Sequence, residues 1–194
     1  MKKNLVRALN GNADAQYTHG LMYYFGRRVK QDYSEALKWY QLSADQGYSL
    51  AQYNLGVMYE DGQGVTKDYK EAVKWYRLSA NQGYALAQYN LGSMYYNGQG
   101  VKKNNAEAAR WYRLAAVQGY ASAQYTLGVM YENGQGVIKD YVRAHMWFDI
   151  SASSGNKDAL SARDAVAIKM YEKQIRKAQE MALLCWRSNF TICD

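Results

Sequence analysis

The hydrophobic positions of this chain follow a strict period of 36 residues. A fixed period of this length is typical of a solenoid, in which each repeat is one supersecondary unit that buries its apolar face against its neighbours. Four consecutive copies predict four structural repeats, which is enough for each apolar face to find a neighbour. The copies cover residues 15–50, 51–86, 87–122 and 123–158.

The pattern within one copy begins with a helix and a turn. Ala51, Leu55 and Met58 are spaced so that they share one face of a helix. Gly62 and Gly64 follow, and two glycines so close together favour a turn over a continued helix. The first half of each repeat is therefore predicted to be a helix that ends in a Gly-rich turn.

The second half of the copy predicts another helix. Asp68 and Glu71 have the spacing of a capping box, which satisfies free amides at the start of a helix. Trp75 and Tyr76 belong to the apolar face of this helix, and Gly83 is placed to end it. Because the four tryptophans recur at one position per repeat, we expect them in the core rather than in a ligand site.

These motifs resemble the Sel1-like repeat, a relative of the tetratricopeptide repeat. The resemblance rests on the stretches AQYNLGVMYEDGQGV and DYKEAVKWYRLSANQGY and on their equivalents in the other copies. It implies an all-α fold, a right-handed α/α superhelical solenoid of four 36-residue helix-turn-helix repeats with a C-terminal capping helix. It also implies a non-enzymatic protein-interaction scaffold, from a family found in bacterial envelope and secreted proteins and in eukaryotic adaptor complexes.

The segments outside the repeats are predicted to close the array. Residues 1–14 begin inside a repeat, as either a short native capping helix or the remainder of a longer protein. Residues 159–194 are predicted to form a C-terminal cap and tail, with a helix from about Glu172 to Arg187. The apolar face of that helix carries Ile175, Ala178, Met181, Ala182 and Cys185.

The net charge of +7 does not by itself indicate a nucleic-acid-binding protein. The basic excess is spread along the chain, whereas a groove that follows phosphates needs a concentrated stripe. We therefore predict no specific nucleic-acid partner, and an acidic protein segment or an anionic envelope surface remains compatible. No apolar run approaches the 18 residues of a membrane span, so no transmembrane segment is predicted.

The first copy differs most from the others, with His19 and Arg28 in place of a leucine and a turn glycine. Such drift is expected in a terminal repeat, one side of which faces solvent. Alternatively, Arg27, Arg28 and Lys30 form a local anion site.

The partner is expected to be a protein or peptide, held by a monomer without a cofactor. By resemblance to tetratricopeptide repeats, the first helices line a concave groove, and two positions seven residues apart point into it. Tyrosine suits such contacts because its large ring has a polar tip. These tyrosines either contact the partner or pack between repeats. The predicted partner-binding residues are Tyr17, Tyr24, Tyr53, Glu60, Tyr89, Tyr96, Tyr125 and Glu132.

Two further interpretations concern chemistry and architecture. Ser154 and Lys157 fit the Ser-x-x-Lys pattern of penicillin-interacting enzymes, so a β-lactam-binding or β-lactam-hydrolysing protein is one alternative. However, Gly155 is the helix-ending glycine of the repeat, which favours a capping role for this stretch. An architectural spacer within a larger protein is the other alternative. No metal site is predicted, because His19 and His145 lie three repeats apart.

Cys185 and Cys193 are the only cysteines. They form either a disulfide that holds the tail to the last helix or one buried and one terminal thiol. A disulfide would suit an oxidising compartment, and the family resemblance includes envelope proteins. We therefore favour a periplasmic or secreted location over a cytoplasmic one.

Overall fold

The computed structural model describes residues 2–193, and the side chains from residue 4 onward. Within that range the chain forms eleven α-helices and no strand. The helices are α1 Lys2–Leu9, α2 Ala13–Phe25, α3 Tyr33–Ala44, α4 Ser49–Asp61, α5 Tyr69–Asn81, α6 Ala85–Asn97, α7 Asn105–Ala116, α8 Ala121–Asn133, α9 Tyr141–Ser153, α10 Lys157–Ala167 and α11 Glu172–Arg187.

The order of helices confirms the predicted all-α repeat architecture. Helices α2 to α9 form four successive pairs, and each pair occupies one 36-residue repeat. Helix α11 has the bounds predicted for the closing helix. Helix α1 lies in the segment before the first full pair.

The chain divides into two compact units. The first contains residues 2–94 and 98–102, and the second contains residues 95–97 and 103–193. The first unit has a core in which Tyr40, Leu55 and Met58 are completely buried. In the second unit Trp147 and Phe148 are completely buried in the same way.

The second helix of each repeat begins at an acidic or amide side chain, as predicted. The Asp68 carboxylate accepts hydrogen bonds from the backbone N–H groups of Lys70 and Glu71, at 2.8 and 3.2 Å. These bonds satisfy donors that the first turn of α5 would otherwise leave unpaired. The other half of the predicted capping box is not formed. The Asp68 N–H donates to the Tyr59 carbonyl at 2.9 Å, and the Glu71 carboxylate instead accepts from the Nζ of Lys74 at 2.5 Å.

Buried glutamines connect each repeat to the one before it. The side-chain amide of Gln52 donates to the carbonyl of Ala44 at 3.2 Å, which satisfies a free carbonyl at the end of α3. The amide of Gln82 then donates to the Gln52 oxygen at 2.7 Å. Gln46 and Gln16 make the same contact one repeat earlier. Gln16 and Gln52 are buried whereas Gln46 and Gln82 are exposed, so each pair gives a buried side-chain oxygen its hydrogen-bond donor.

The C-terminal helix packs against the last repeat. Helix α11 packs against α9, and Ala178, Ala182 and Cys185 are buried in the contact. The structure pairs Cys185 with Cys193 in a disulfide, with the two Cα atoms 4.6 Å apart. The bond turns the tail back onto the helix.

Among the helices that the structure describes, none combines the length and the apolar character that crossing a bilayer requires.

Candidate partner-binding site

The predicted partner-binding residues all lie on first helices, where the repeat pattern places them. Each of the eight is half-buried, so each has one side against the protein and another open to solvent. They are Tyr17 and Tyr24 on α2, Tyr53 and Glu60 on α4, Tyr89 and Tyr96 on α6, and Tyr125 and Glu132 on α8.

Three of these tyrosines line one recess in the first unit. The recess lies between α2 and α4 and has a volume of about 300 Å³. This is at the lower end of the range for ligand-binding clefts. Its lining consists of Tyr17, Leu21, Tyr24, Phe25, Tyr53, Asn54 and Val57. It therefore combines apolar side chains with a few polar groups that could orient a partner.

The tyrosine rings in the recess are positioned by aromatic neighbours. The ring centre of Tyr17 lies 5.8 Å from that of Tyr40 and 5.2 Å from that of Tyr48. Tyr53 has equivalent neighbours one repeat later, at 5.8 Å from Tyr76 and 5.2 Å from Tyr84. Such tilted and edge-on pairs are favourable arrangements for aromatic rings. The same tyrosine thus packs within the array and lines the recess.

Tyr24 and Tyr96 connect neighbouring repeats. The Tyr24 hydroxyl donates to the side-chain oxygen of Gln63 at 2.7 Å, and Gln63 lies in the turn of the next repeat. Tyr96 makes the equivalent bond to Gln135 at 3.2 Å. The hydroxyl of Tyr24 is therefore engaged inside the protein, while the residue also lines the recess.

Glutamates occupy the same helix position in the other two repeats. The Glu60 carboxylate accepts a hydrogen bond from the Tyr76 hydroxyl at 2.5 Å. The Glu132 carboxylate forms an ion pair with the Nζ of Lys169 at 2.8 Å. Both predicted glutamates thus have partners within the chain, and neither lines the recess.

The recess is chemically neutral. Burial raises the pKa of the Tyr17 phenol above its ordinary value of 10, and nearby Tyr84 and Tyr48 add to the effect. Burial also raises the pKa of Tyr24, with a further contribution from Tyr33. Both phenols therefore stay protonated at neutral pH and can exchange hydrogen bonds but not act as bases. This arrangement suits binding rather than acid–base catalysis.

Four lining residues were not predicted from the sequence. They are Leu21, Phe25, Asn54 and Val57. Phe25 could have been found, because the other copies have Asp61, Asn97 and Asn133 at its position. Its ring is 53% exposed, and the guanidinium of Arg27 lies 4.9 Å from the ring centre. An exposed aromatic residue at a position that is otherwise polar indicates a role outside the core.

The remaining predicted residues are not part of this recess. Tyr89 lies on the first-unit part of α6, while Tyr96, Tyr125 and Glu132 belong to the second unit. The ring of Tyr125 packs 5.6 Å from that of Phe148, which repeats the pairing of Tyr53 with Tyr76.

The histidines are placed as core residues. His19 is 4% exposed and its ring lies 5.2 Å from that of Trp39. His145 is 3% exposed. Burial is the main cause that lowers the pKa of each imidazole below 6.5. Within residues 2–193 no group of three His, Cys, Asp or Glu side chains is arranged to hold a metal ion.

The Ser154 stretch is the end of a helix. Ser154 is the residue that follows α9, and its backbone N–H donates to the Ile150 carbonyl at 2.9 Å. Gly155 has a left-handed conformation with φ of 96°. Lys157 is exposed at the start of α10. This geometry agrees with a capping role for the Ser-x-x-Lys stretch.

Comparison with known proteins identifies the repeats. The family model described as Sel1 repeat matches residues 13–48, 49–84, 85–120 and 121–156. A solved structure of c5321, a protective antigen of uropathogenic Escherichia coli with an SLR fold, is 42% identical with a TM-score of 0.80. That match covers 81% of this chain and 34% of the antigen, so the chain spans about a third of the antigen's length.

A Sel1 repeat protein from Oxalobacter formigenes is 35% identical with a TM-score of 0.76, over 88% of this chain and 73% of that protein. Helicobacter pylori cysteine rich protein B shares the fold at 22% identity and a TM-score of 0.55, over 70% of this chain and 98% of that one. No curated protein sequence matches the chain. Proteins built from Sel1 repeats are generally interaction scaffolds and mainly non-enzymatic. The four repeat matches and the two closely similar structures show that this chain belongs to the Sel1 repeat family.

Proposed function

We propose that this protein is an interaction scaffold that binds a peptide or protein segment on its first-helix face, through the recess between α2 and α4. The observation that carries the proposal is the grouping of Tyr17, Tyr24 and Tyr53 with the exposed ring of Phe25 around one recess. Exposed aromatic side chains beside a preformed cleft are typical of protein-binding surfaces.

The chemistry of the recess defines the segment that it would accept. Leu21, Val57 and Phe25 offer an apolar surface for an aliphatic or aromatic side chain of the partner. Asn54 and Tyr17 can exchange hydrogen bonds with its backbone. Because the rings are already held by neighbouring aromatic residues, binding would require little ordering of the site.

The experiment is an affinity capture from the native source, followed by measurement of the affinity for the captured partner. The test variant is Phe25→Asn/Val57→Ser, because the chain itself has Asn97 and Ser93 at these positions and the fold accepts them. We expect the parent to capture a partner and the variant to bind it at least about 10-fold more weakly, as for loss of central apolar contacts.

The control variant is Leu42→Ser, which removes an exposed apolar side chain from the second helix of the first repeat. It should bind the partner like the parent. Circular dichroism would establish that both variants are folded. Equal affinity of the parent and of Phe25→Asn/Val57→Ser would refute the recess as the binding site.

A further inference from the structure

A second, larger recess lies along α5, the second helix of the second repeat. Its volume is about 520 Å³, and its lining comes from one side of α5 and from Gly100. Gly100 closes one end, because its backbone packs directly on Lys70: a Cβ at Gly100 would stand 2.8 Å from the Lys70 nitrogen. The lining residues are Lys70, Val73, Lys74, Arg77, Leu78, Asn81 and Gly100.

The recess combines an apolar floor with cationic walls. Val73 is buried, and Leu78 is 47% exposed, as the leucines at its position in the first and third repeats also are. Lys70, Lys74 and Arg77 are all exposed along the same side of α5. In the part of the chain that the structure describes, the lining of this recess includes no carboxylate. The Glu71 carboxylate is engaged with Lys74 but does not line the cavity.

The fold does not require Lys70 and Arg77, as the first repeat demonstrates. Lys74 differs from these two, because Lys38 occupies its position in the first repeat and pairs with Glu35 as Lys74 pairs with Glu71. Its residues at the positions of Lys70 and Arg77 are Ser34 and Gln41, and Asp45 stands in place of Asn81. The corresponding helix α3 has the same length within one residue and the same kind of N-cap. Since the first repeat folds without cations at the other two positions, Lys70 and Arg77 on α5 call for a reason other than folding.

We propose that this recess is a second docking site and that its occupant is an acidic protein segment with an aliphatic anchor residue. Lys70, Lys74 and Arg77 give the lining a positive charge that attracts carboxylates, with Lys74 shared with Glu71, and the exposed Leu78 offers an apolar contact for the anchor. From Lys70 to Asn81 the helix rises by about 16 Å, which corresponds to about five residues of extended chain or three turns of helix. The site is separate from the recess between α2 and α4.

The lining argues against a nucleic acid as the occupant. Single-stranded nucleic acids are bound through aromatic side chains on which bases stack, combined with a cationic groove. None of the residues that line this recess is aromatic. Its cations come from about two turns of one helix, so they do not follow a long phosphate backbone.

The test uses a fluorescent peptide of about 12 residues, long enough to span the recess as a helix. It contains glutamates on one face and leucines on the other, and a second peptide has glutamine in place of each glutamate. We expect the full chain to bind the acidic peptide, to bind the glutamine peptide more weakly, and to lose the difference at high salt.

The test variant is Lys70→Ser/Arg77→Gln, which installs the residues of the first repeat. Exposed ion pairs contribute little individually, so we expect binding of the acidic peptide to weaken by about 3- to 10-fold. The matched control is Lys173→Ser/Arg176→Gln on α11, which removes the same charges elsewhere and should bind like the parent. In addition, Leu78→Ala should weaken binding of the leucine-containing peptide but not of an all-glutamate peptide.

Three results would overturn the proposal. The first is an equal loss of affinity in both double variants, which would indicate attraction by net charge alone. The second is tighter binding of single-stranded DNA or of anionic phospholipid vesicles than of the peptide, with the same dependence on Lys70 and Arg77. The third is no measurable binding of the acidic peptide by the folded parent.

Discussion

The ring of Tyr76 lies directly on the Cα atom of Gly56. A Cβ atom at Gly56 would stand 2.5 Å from the ring atoms Cδ1 and Cε1 of Tyr76, closer than such atoms can approach. Gly56 is in the middle of α4, where glycine is otherwise unfavourable. The glycine is therefore needed for the two helices of a repeat to pack together. Gly128 faces Phe148 in the same way in the fourth repeat.

We predict that Gly56→Ala destabilises the protein by about 1–3 kcal/mol, the usual cost of an overpacked core. The cost arises because Tyr76 is completely buried and cannot move aside. Chemical denaturation of parent and variant would measure it.

The same substitution made in a Tyr76→Leu variant distinguishes the clash with the ring from other causes of lost stability. In a Tyr76→Leu variant the smaller side chain leaves room for the Cβ, so Gly56→Ala should become neutral or stabilising through its higher helix propensity. The same loss of stability in both backgrounds would contradict the explanation.

A turn glycine makes an equally close contact between repeats. Gly64 has a left-handed φ of 69°, and a Cβ there would stand 2.5 Å from the carbonyl carbon of Tyr33 in the preceding repeat. We predict that Gly64→Ala destabilises the protein by more than the 1–2 kcal/mol that the left-handed conformation alone costs.

The first repeat provides the comparison, because Arg28 occupies the same position with φ of 65°. Arg28→Gly should leave stability unchanged or raise it by about 1 kcal/mol, since it relieves only the backbone conformation. Thermal denaturation of both variants would test the pair. If Gly64→Ala left the melting temperature unchanged, the two repeats would be shown to adjust at this contact.

The last repeat lacks one of the glutamine–glutamine hydrogen bonds that pair Gln16 with Gln46 and Gln52 with Gln82. Ser154 stands where Gln46 and Gln82 stand in earlier repeats, and in the described chain the buried Gln124 side-chain oxygen has no hydrogen-bond partner. We predict that Ser154→Gln restores the bond and stabilises the protein by about 1 kcal/mol. The reverse change, Gln82→Ser, should destabilise it by a similar amount.

The same variant bears on the enzymatic alternative. A Ser-x-x-Lys enzyme would depend on the Ser154 hydroxyl as its nucleophile. Nitrocefin turnover by the parent that disappears in Ser154→Gln would support that alternative against a capping role. We expect no turnover in either protein.

The buried histidines predict a loss of stability in acid. Because burial lowers the pKa of His19 and His145, the unfolded chain takes up protons at a higher pH than the folded one. The free energy of unfolding should therefore be constant above the ordinary imidazole pKa of about 6.5 and fall as the pH drops through it. Around His145, Asp149 and Asp164 oppose the shift and Arg163 supports it.

Two substitutions from the other repeats would test this dependence. His19→Leu installs the residue at position 55, and His145→Val installs the one at position 73. The double variant should lose less stability between neutral and mildly acidic pH than the parent does. An unchanged pH profile would show that other groups cause the acid sensitivity.

The disulfide is predicted to act locally. It lies beside Phe190, whose ring would be 3.7 Å from a Cβ on Gly119. Helix α11 is anchored separately, because Ala178 and Ala182 are buried. We expect Cys185→Ser/Cys193→Ser to speed amide exchange around residues 188–193 and to change the melting temperature little.

Mass measurement of the native protein without reductant would establish whether the bond forms. Two free thiols in protein from its native compartment would refute the disulfide. Slower exchange throughout α11 in the parent than in the variant would show a wider role for the bond.

The 36-residue period was sufficient to predict the helix pairs, and the spacing of apolar residues after the last repeat predicted the closing helix. These features depend on residues that are neighbours in sequence. Asp68 caps the helix that begins at the next residue, and the glycines of each turn end the helix before them. Such signals act within about one turn of chain, so they can be read without knowledge of the fold.

The recesses and the packing constraints depend on the tertiary structure. Phe25 and Val57 belong to different repeats, and they line one recess because α2 approaches α4. Gly56 is required because of a ring 20 residues away, and the unpaired oxygen of Gln124 results from a change 30 residues later. The period predicts that such positions are equivalent between repeats, but distances between atoms far apart in sequence exist only once the helices have packed.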